Sequence, residues 1–177
     1  MTPPILGLTL THPWPVAIRD WGKDVENRTW KPSKWGGCVG MYLAIHGGKP
    51  APKLDGHSEK AVDFRSDLGW IARQINSGVI KVTREQLEPY LNEEKDALEY
   101  AACVRPGIVA VARVAAVTTG HESPWAARNQ FNWVLADVTP IDPIQYTGGR
   151  GLWEIEAYTK DQLRAAWSEK HDGEVKF

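Results

Sequence analysis

The sequence has little of what would make a disulfide-stapled, metal-bound or membrane-spanning protein. Only two cysteines occur in 177 residues, Cys38 and Cys103, far apart and without CxxC spacing. Neither a disulfide framework nor a zinc site follows, and a reducing cytoplasm fits such usage. The histidines at 12, 46, 57, 121 and 171 are scattered and show no HExxH pattern, so no metal site is expected. Gly47-Gly48-Lys49 lacks the spacing of a P-loop, and no motif calls for a cofactor. The longest apolar run, Ile108 to Val117, is broken by Arg113. Met1 to Thr11 has no basic region ahead of an apolar stretch, so neither a membrane span nor a secretory signal is indicated.

Strong net charge is also missing. The balance is -1, which weighs against a large phosphate-tracking surface. Its distribution is uneven, however. Residues 1 to 53 carry seven Lys or Arg against three acidic residues, and residues 82 to 100 carry two against six. Such asymmetry is expected if one end meets phosphates and an acidic segment faces away; solvated faces of chance composition are the plain alternative.

What is abundant is tryptophan, nine residues at positions 14, 21, 30, 35, 70, 125, 133, 153 and 167. Most must be buried, because indole surface is costly to leave in water, and two or three at most are expected to line a site. At 177 residues, 42% hydrophobic, the chain can bury a core without staples as one domain, 1 to 177.

Ile5 to Leu10 reads as a first strand. His12-Pro13 opens a short helix, with Trp14, Ala17, Ile18 and Trp21 on one stripe and Gly22 at the C-terminal cap position. Alternation over Val25 to Trp30 predicts a strand with Glu26, Arg28 and Trp30 on one face. Val39 to Ile45 predicts the next strand, ending at His46-Gly47-Gly48-Lys49. A helical insert is expected over about 57 to 100. Phe64, Leu68, Ile71 and Ile75 mark its first helix; the second starts in a Thr83/Gln86 capping box with Leu87, Leu91 and Leu98 inward and a kink or restart at Pro89. Strands follow at Ile108 to Thr118, Phe131 to Val138 and Leu152 to Ala157, then an amphipathic helix at about 159 to 170. The expected fold is α+β: about six strands in a closed or nearly closed sheet, with flanking helices.

Lys23, Glu26 and Arg28 form the sharpest constellation. Two of them project from one strand face and Lys23 enters at the preceding turn, so three long charged side chains converge on one mouth. A carboxylate between two cations holds them in place and leaves donors free for a phosphate, carbonyl or base edge; a surface ion-pair cluster is the plain alternative. Trp14, Trp30 and Trp125 are candidate stacking platforms, Trp125 first because its loop is otherwise polar. Trp133 and Trp153 alternate within strands and are expected to be buried. His46 and Lys49, around two glycines, place a donor and a phosphate-directed charge after a strand.

The run Leu8-Thr9-Leu10-Thr11-His12-Pro13-Trp14, followed by Gly22-Lys23-Asp24-Val25-Glu26-Asn27-Arg28-Thr29-Trp30, resembles the opening of ASCH domains and their KxxExR signature. Leu43 to Lys49, Ile108 to Val114, Ser123-Pro124-Trp125, Phe131 to Leu135 and Gly151-Leu152-Trp153 are similar to later segments of that family. The likeness covers roughly 5 to 50 and 107 to 157. It implies a PUA-like β-barrel whose cleft is lined by the KxxExR residues, related to PUA, EVE and YTH domains that bind RNA or modified bases. It also implies, in some members, enzymatic work on nucleosides or RNA. Two departures stand out: Gly22 adjoins Lys23 where the family motif has glycine two positions before the lysine, and Glu26 stands where N4-acetylcytidine amidohydrolases have threonine.

These readings point to binding of RNA, single-stranded nucleic acid or a modified nucleoside at a basic cleft formed by Lys23, Glu26, Arg28, Trp14, Trp30, Trp125, His46 and Lys49. A small ribonuclease or amidohydrolase, with Lys23 as base or nucleophile and Glu26 as proton carrier, is the second reading. A protein-interaction module, which requires an exposed apolar stripe on residues 60 to 100, is the third.

Overall fold

The computed structural model of the chain describes residues 2–174, 176 and 177. Six strands make one sheet: β1 (Ile5–Leu10), β2 (Val25–Arg28), β3 (Tyr42–Gly47), β4 (Gly107–Thr118), β5 (Phe131–Ile144) and β6 (Leu152–Trp153), in the order β2-β5-β4-β3-β1-β6. β1 runs parallel to β3, and every other pairing is antiparallel. Four α-helices accompany it: α1 (Trp14–Asp20), α2 (Glu59–Asn76), α3 (Arg84–Leu87) and α4 (Ala157–Lys170). The expected closed or nearly closed barrel is a curled half-barrel. No strand pairing joins β2 to β6 among the described residues, leaving both as edges.

Curling comes from β4 and β5, whose long pairing shifts register at three places. Each such irregularity bends a strand and increases its twist. It also explains why β5 runs on to Ile144 rather than ending at Val138. Asp137 adopts φ +53°, and the proline-containing stretch beyond re-pairs, Pro140 opposite Ala110. β3 is buried on both faces, because its residues alternate between two cores. Leu43 and Ile45 join Leu6, Leu8, Leu10, Val109 and Trp133 inside the curl, whereas Tyr42 and Ala44 pack outward against Leu163, Trp167 and Phe177. Its first residues differ from expectation: Val39 is exposed, and the chain turns through Gly40 at φ +91° before the strand begins.

The third core joins α1 and α2. Val16, Ala17 and Trp21 meet Phe64, Leu68, Ile71 and Trp125. The apolar stripe of the insert is therefore buried against the domain, and the exposed stripe required by the third reading is replaced by single exposed residues, Val62, Val79 and Tyr100. Nor does the insert hold two comparable helices. α3 has its capping box at Thr83 and Gln86 but lasts four residues, and a short 3-10 turn, Glu88–Tyr90, follows. Pro89 cannot donate to a continuing helix. Beyond it Leu91 pairs with Leu98 across a tight loop in which Asn92 Oδ1 accepts from the Asp96 and Ala97 amides. No helix among the described residues is long and apolar enough to cross a membrane.

Tyr90 ties this insert to α1. Its hydroxyl donates to Asp20, and its ring meets Trp21 edge-on at 5.1 Å. Burial, then the bond to Asp20, pushes the hydroxyl up to about 12 from an ordinary 10.0. The folded state thus keeps a proton that the unfolded chain releases near 10, so this contribution is intact below that pH and is lost as pH climbs toward 12. Buried Cys103, also raised to about 12, adds a similar loss that begins nearer its ordinary 9.0. Alkaline denaturation should therefore be less steep in Tyr90→Phe than in the wild type between pH 10 and 12. Equal steepness would contradict the assignment.

Candidate functional site

α1 ends in a turn at Gly22, whose φ of +70° is costly for other residues, and the Lys23 amide returns to the Ala17 carbonyl at 3.0 Å. This turn drives Lys23 inward, leaving it only 2% exposed. Its Nζ donates to Glu26 Oε2 at 2.9 Å and to the Val25 carbonyl, and lies 5.6 Å from the Trp14 ring centroid. From β2, Glu26 holds both cations: Oε1 lies 2.9 Å from Arg28 Nε. That Nε–H is not aligned on the oxygen, so the contact is an ion pair rather than a hydrogen bond. Arg28 Nη2 reaches the Thr9 carbonyl at 3.4 Å, linking edge strand β2 to β1. Lys23, Glu26 and Arg28 converge, with Lys23 and Glu26 buried and Arg28 at the rim.

These side chains line a cavity of about 480 Å³ together with Thr9, Thr11, Trp14, Asn27, Asp67, Trp70, Trp125 and Gln130. Its aromatic wall is continuous. Trp14 and Trp70 have centroids 6.3 Å apart, and Trp70 and Trp125 6.2 Å. Trp125 is buried in its loop rather than displayed on it. Asn27 Nδ2 donates to the Trp125 carbonyl at 2.8 Å, and Asn27 Oδ1 accepts from the Ala127 amide and from Asn132 Nδ2. Ser123 Oγ, bonded to Asp24, receives the Trp125 amide. A polar loop sequence thus becomes a fixed wall, because its backbone is bonded to Asn27 of β2 and Asn132 of β5 and its Ser123 to Asp24.

A second cavity of about 390 Å³ shares Thr9, Leu10, Thr11 and Asp67 with the first and adds His12, Lys49, Lys60, Asp63 and Phe64. Lys49 therefore belongs to the cleft, in this second lobe. Burial lowers the His12 pKa, partly offset by the Gly48 carbonyl, 2.8 Å from its Nε2.

Two expected members stand apart, since neither lines the two lobes. Trp30 packs against the inner core, edge-on to Trp133 at 5.0 Å, with the Arg28 guanidinium 5.6 Å from its centroid. His46 is covered by Tyr146 and Trp153, which stack 5.2 Å apart and 8° from parallel. Its Nε2 lies 3.0 Å from the Tyr146 carbonyl, Nδ1 has no hydrogen-bond partner among the described residues, and burial lowers its pKa. Trp133 is fully buried as expected; Trp153 is only half-buried, and its Nε1 donates to Thr9 Oγ1.

The cleft is also not basic. Lys23 and Arg28 face Glu26 and Asp67 in the first lobe, and Lys49 and Lys60 face Asp63 and Asp67 in the second. Beside Glu26 of β2, the balancing acids Asp63 and Asp67 come from α2, within the insert, and so does Trp70. Asp63, Asp67 and Trp70 are spaced by four and three residues beside the apolar stripe, a second face of the same helix that the sequence displays. No protein-family model matches this chain, and no curated protein is significantly similar to it.

Proposed function

We propose that the chain binds a nucleobase in this cleft, either as a nucleoside or as a base turned out of a single RNA strand, in the manner of an ASCH domain with a PUA-like sheet. The observation that carries the reading is the combination in one cavity of a three-tryptophan wall with the buried Lys23–Glu26 pair and Arg28 at its rim. Stacking supplies affinity for any base, and fixed charged donors read its edge. About 480 Å³ is room for one such unit. Charge balance favours a base over a phosphate backbone, because only Lys49 and Lys60 at the second lobe are placed for phosphate.

Calorimetric titration with the four ribonucleosides and with short single-stranded RNA tests this. The expected result is saturable binding with shallow salt dependence, weakened roughly 5- to 150-fold by Trp125→Ala, the loss of one stacked base. Failure of every nucleoside and oligomer to bind would sink the reading. The 2.9 Å contact between Lys23 and Glu26 inside the same cavity favours a second reading, hydrolysis of RNA or of a modified nucleoside. Product formation that Lys23→Met abolishes, with binding retained, would select it.

A further inference from the structure

We propose that Asp67 is the specificity-determining acceptor of the cleft, selecting bases that present an amino N–H to it while Lys23 and Arg28 meet the acceptor atoms of the same ligand. The inference rests on the nucleobase reading. Asp67 lies midway along α2, on the wall shared by the two lobes. One carboxylate oxygen accepts from Trp14 Nε1 at 3.0 Å. No other hydrogen bond and no ion pair reaches this carboxylate among the described residues. Glu26 is the contrast. Its two oxygens each face a cation of the protein, Oε2 accepting from Lys23 and Oε1 paired with Arg28, so its charge is already balanced and it holds the donors in place.

The first lobe therefore offers donors on its β2 side and one unengaged carboxylate oxygen on its α2 side. Burial raises the Asp67 pKa; the Trp14 bond offsets this in part, and nearby Asp63 adds to the rise. A carboxylate short of partners in the free protein gains most from a ligand N–H, since bonds to a charged acceptor are roughly twice as strong as neutral ones. The same geometry penalises a ligand without that donor, which would cover Asp67 and leave it unsatisfied. Thr11 and Gln130 also line the lobe, but as neutral groups they can donate as well as accept and discriminate less. Position on α2 supports the role, because Phe64, Leu68 and Ile71, on the adjoining stripe of the helix, anchor it in the core and fix where Asp67 stands.

The test compares nucleosides that differ only in one amino group. Affinities of the full chain are measured for adenosine against purine riboside, guanosine against inosine, and cytidine against its analogue with hydrogen in place of the amino group. The wild type should favour the amino-bearing member of at least one pair by about tenfold or more. Asp67→Asn, which keeps the shape and an acceptor for Trp14, should reduce that preference below about threefold, since a neutral amide accepts more weakly. Asp63→Asn removes the same charge one turn away, where it lines only the second lobe, and should leave the preference intact. Equal binding within every pair by the wild type overturns the inference while leaving the nucleobase reading standing. So does an unchanged preference in Asp67→Asn, or an equal loss in Asp63→Asn. Failure of every nucleoside to bind the wild type overturns both.

Discussion

Glu26→Ala should lower the stability of the chain by about 3 kcal/mol, the low end of what is lost when one partner of a buried pair is removed. The effect arises from what is left behind. Lys23 is only 2% exposed, and without Glu26 its ammonium retains just the Val25 carbonyl and the Trp14 face. A buried cation with too few acceptors costs far more than the lost contact contributed. Arg28, at the rim, can turn to solvent and adds little. Replacing both buried charges, as Lys23→Met/Glu26→Leu, should restore stability to within about 1 kcal/mol of the wild type, because apolar side chains of similar volume carry no desolvation cost. Urea denaturation of the three proteins checks the pattern. For a domain of this size, about 3 kcal/mol corresponds to a fall of roughly 6 to 12 °C in Tm. Equal loss in the single and double variants would mean that packing, not charge, dominates the site.

Trp133→Ala should be at least as damaging, by about 3–5 kcal/mol. Trp133 is fully buried, sits directly opposite Glu26 in the β2–β5 pairing, and meets Trp30 edge-on at 5.0 Å. Its Nε1 also donates to the Trp30 carbonyl at 3.2 Å, tying down the chain just after edge strand β2. A cavity there removes the support beneath the strand that carries Glu26 and Arg28, so affinity for the proposed nucleobase ligand should fall together with stability. Trp133→Phe fills much of the space but cannot make the bond, and should cost about 1–2 kcal/mol. A Trp133→Ala protein as stable as the wild type would contradict the packing described for the half-barrel.

Much of this arrangement could be read from local pattern. Ile5–Leu10 is a strand with the bounds its apolar run implies, and two-residue alternation correctly put Glu26 and Arg28 on one side. Gly22 marked the turn that sends Lys23 inward. Long-range geometry was less legible. Nothing local says that α2 folds back to bring Asp67 and Trp70 against Trp14, which turns an expected basic cleft into a charge-balanced one. The end of β5 was obscured because Asp137, Pro140 and Pro143 read as breakers, whereas register shifts absorb them. Leu91 and Leu98 fit a helical stripe equally well as a cross-strand pair, and Pro89 decided between the two. His46 follows the same glycine-rich logic as Lys49, yet the Tyr146–Trp153 stack covers it, a contact between parts of the chain with no shared sequence signal.

Indole N–H resonances offer the most direct test of the proposed base site, because the nine tryptophans are distributed over every part of the fold. After assignment by single Trp→Phe variants, the chain is titrated with the tightest-binding nucleoside. The account predicts that the signals of Trp14, Trp70 and Trp125 move together and saturate at one equivalent, while those of Trp153 and Trp167, which lie outside the cleft, stay in place. Saturable shifts confined to Trp35, Trp153 or Trp167, or no shift at any indole, would contradict it.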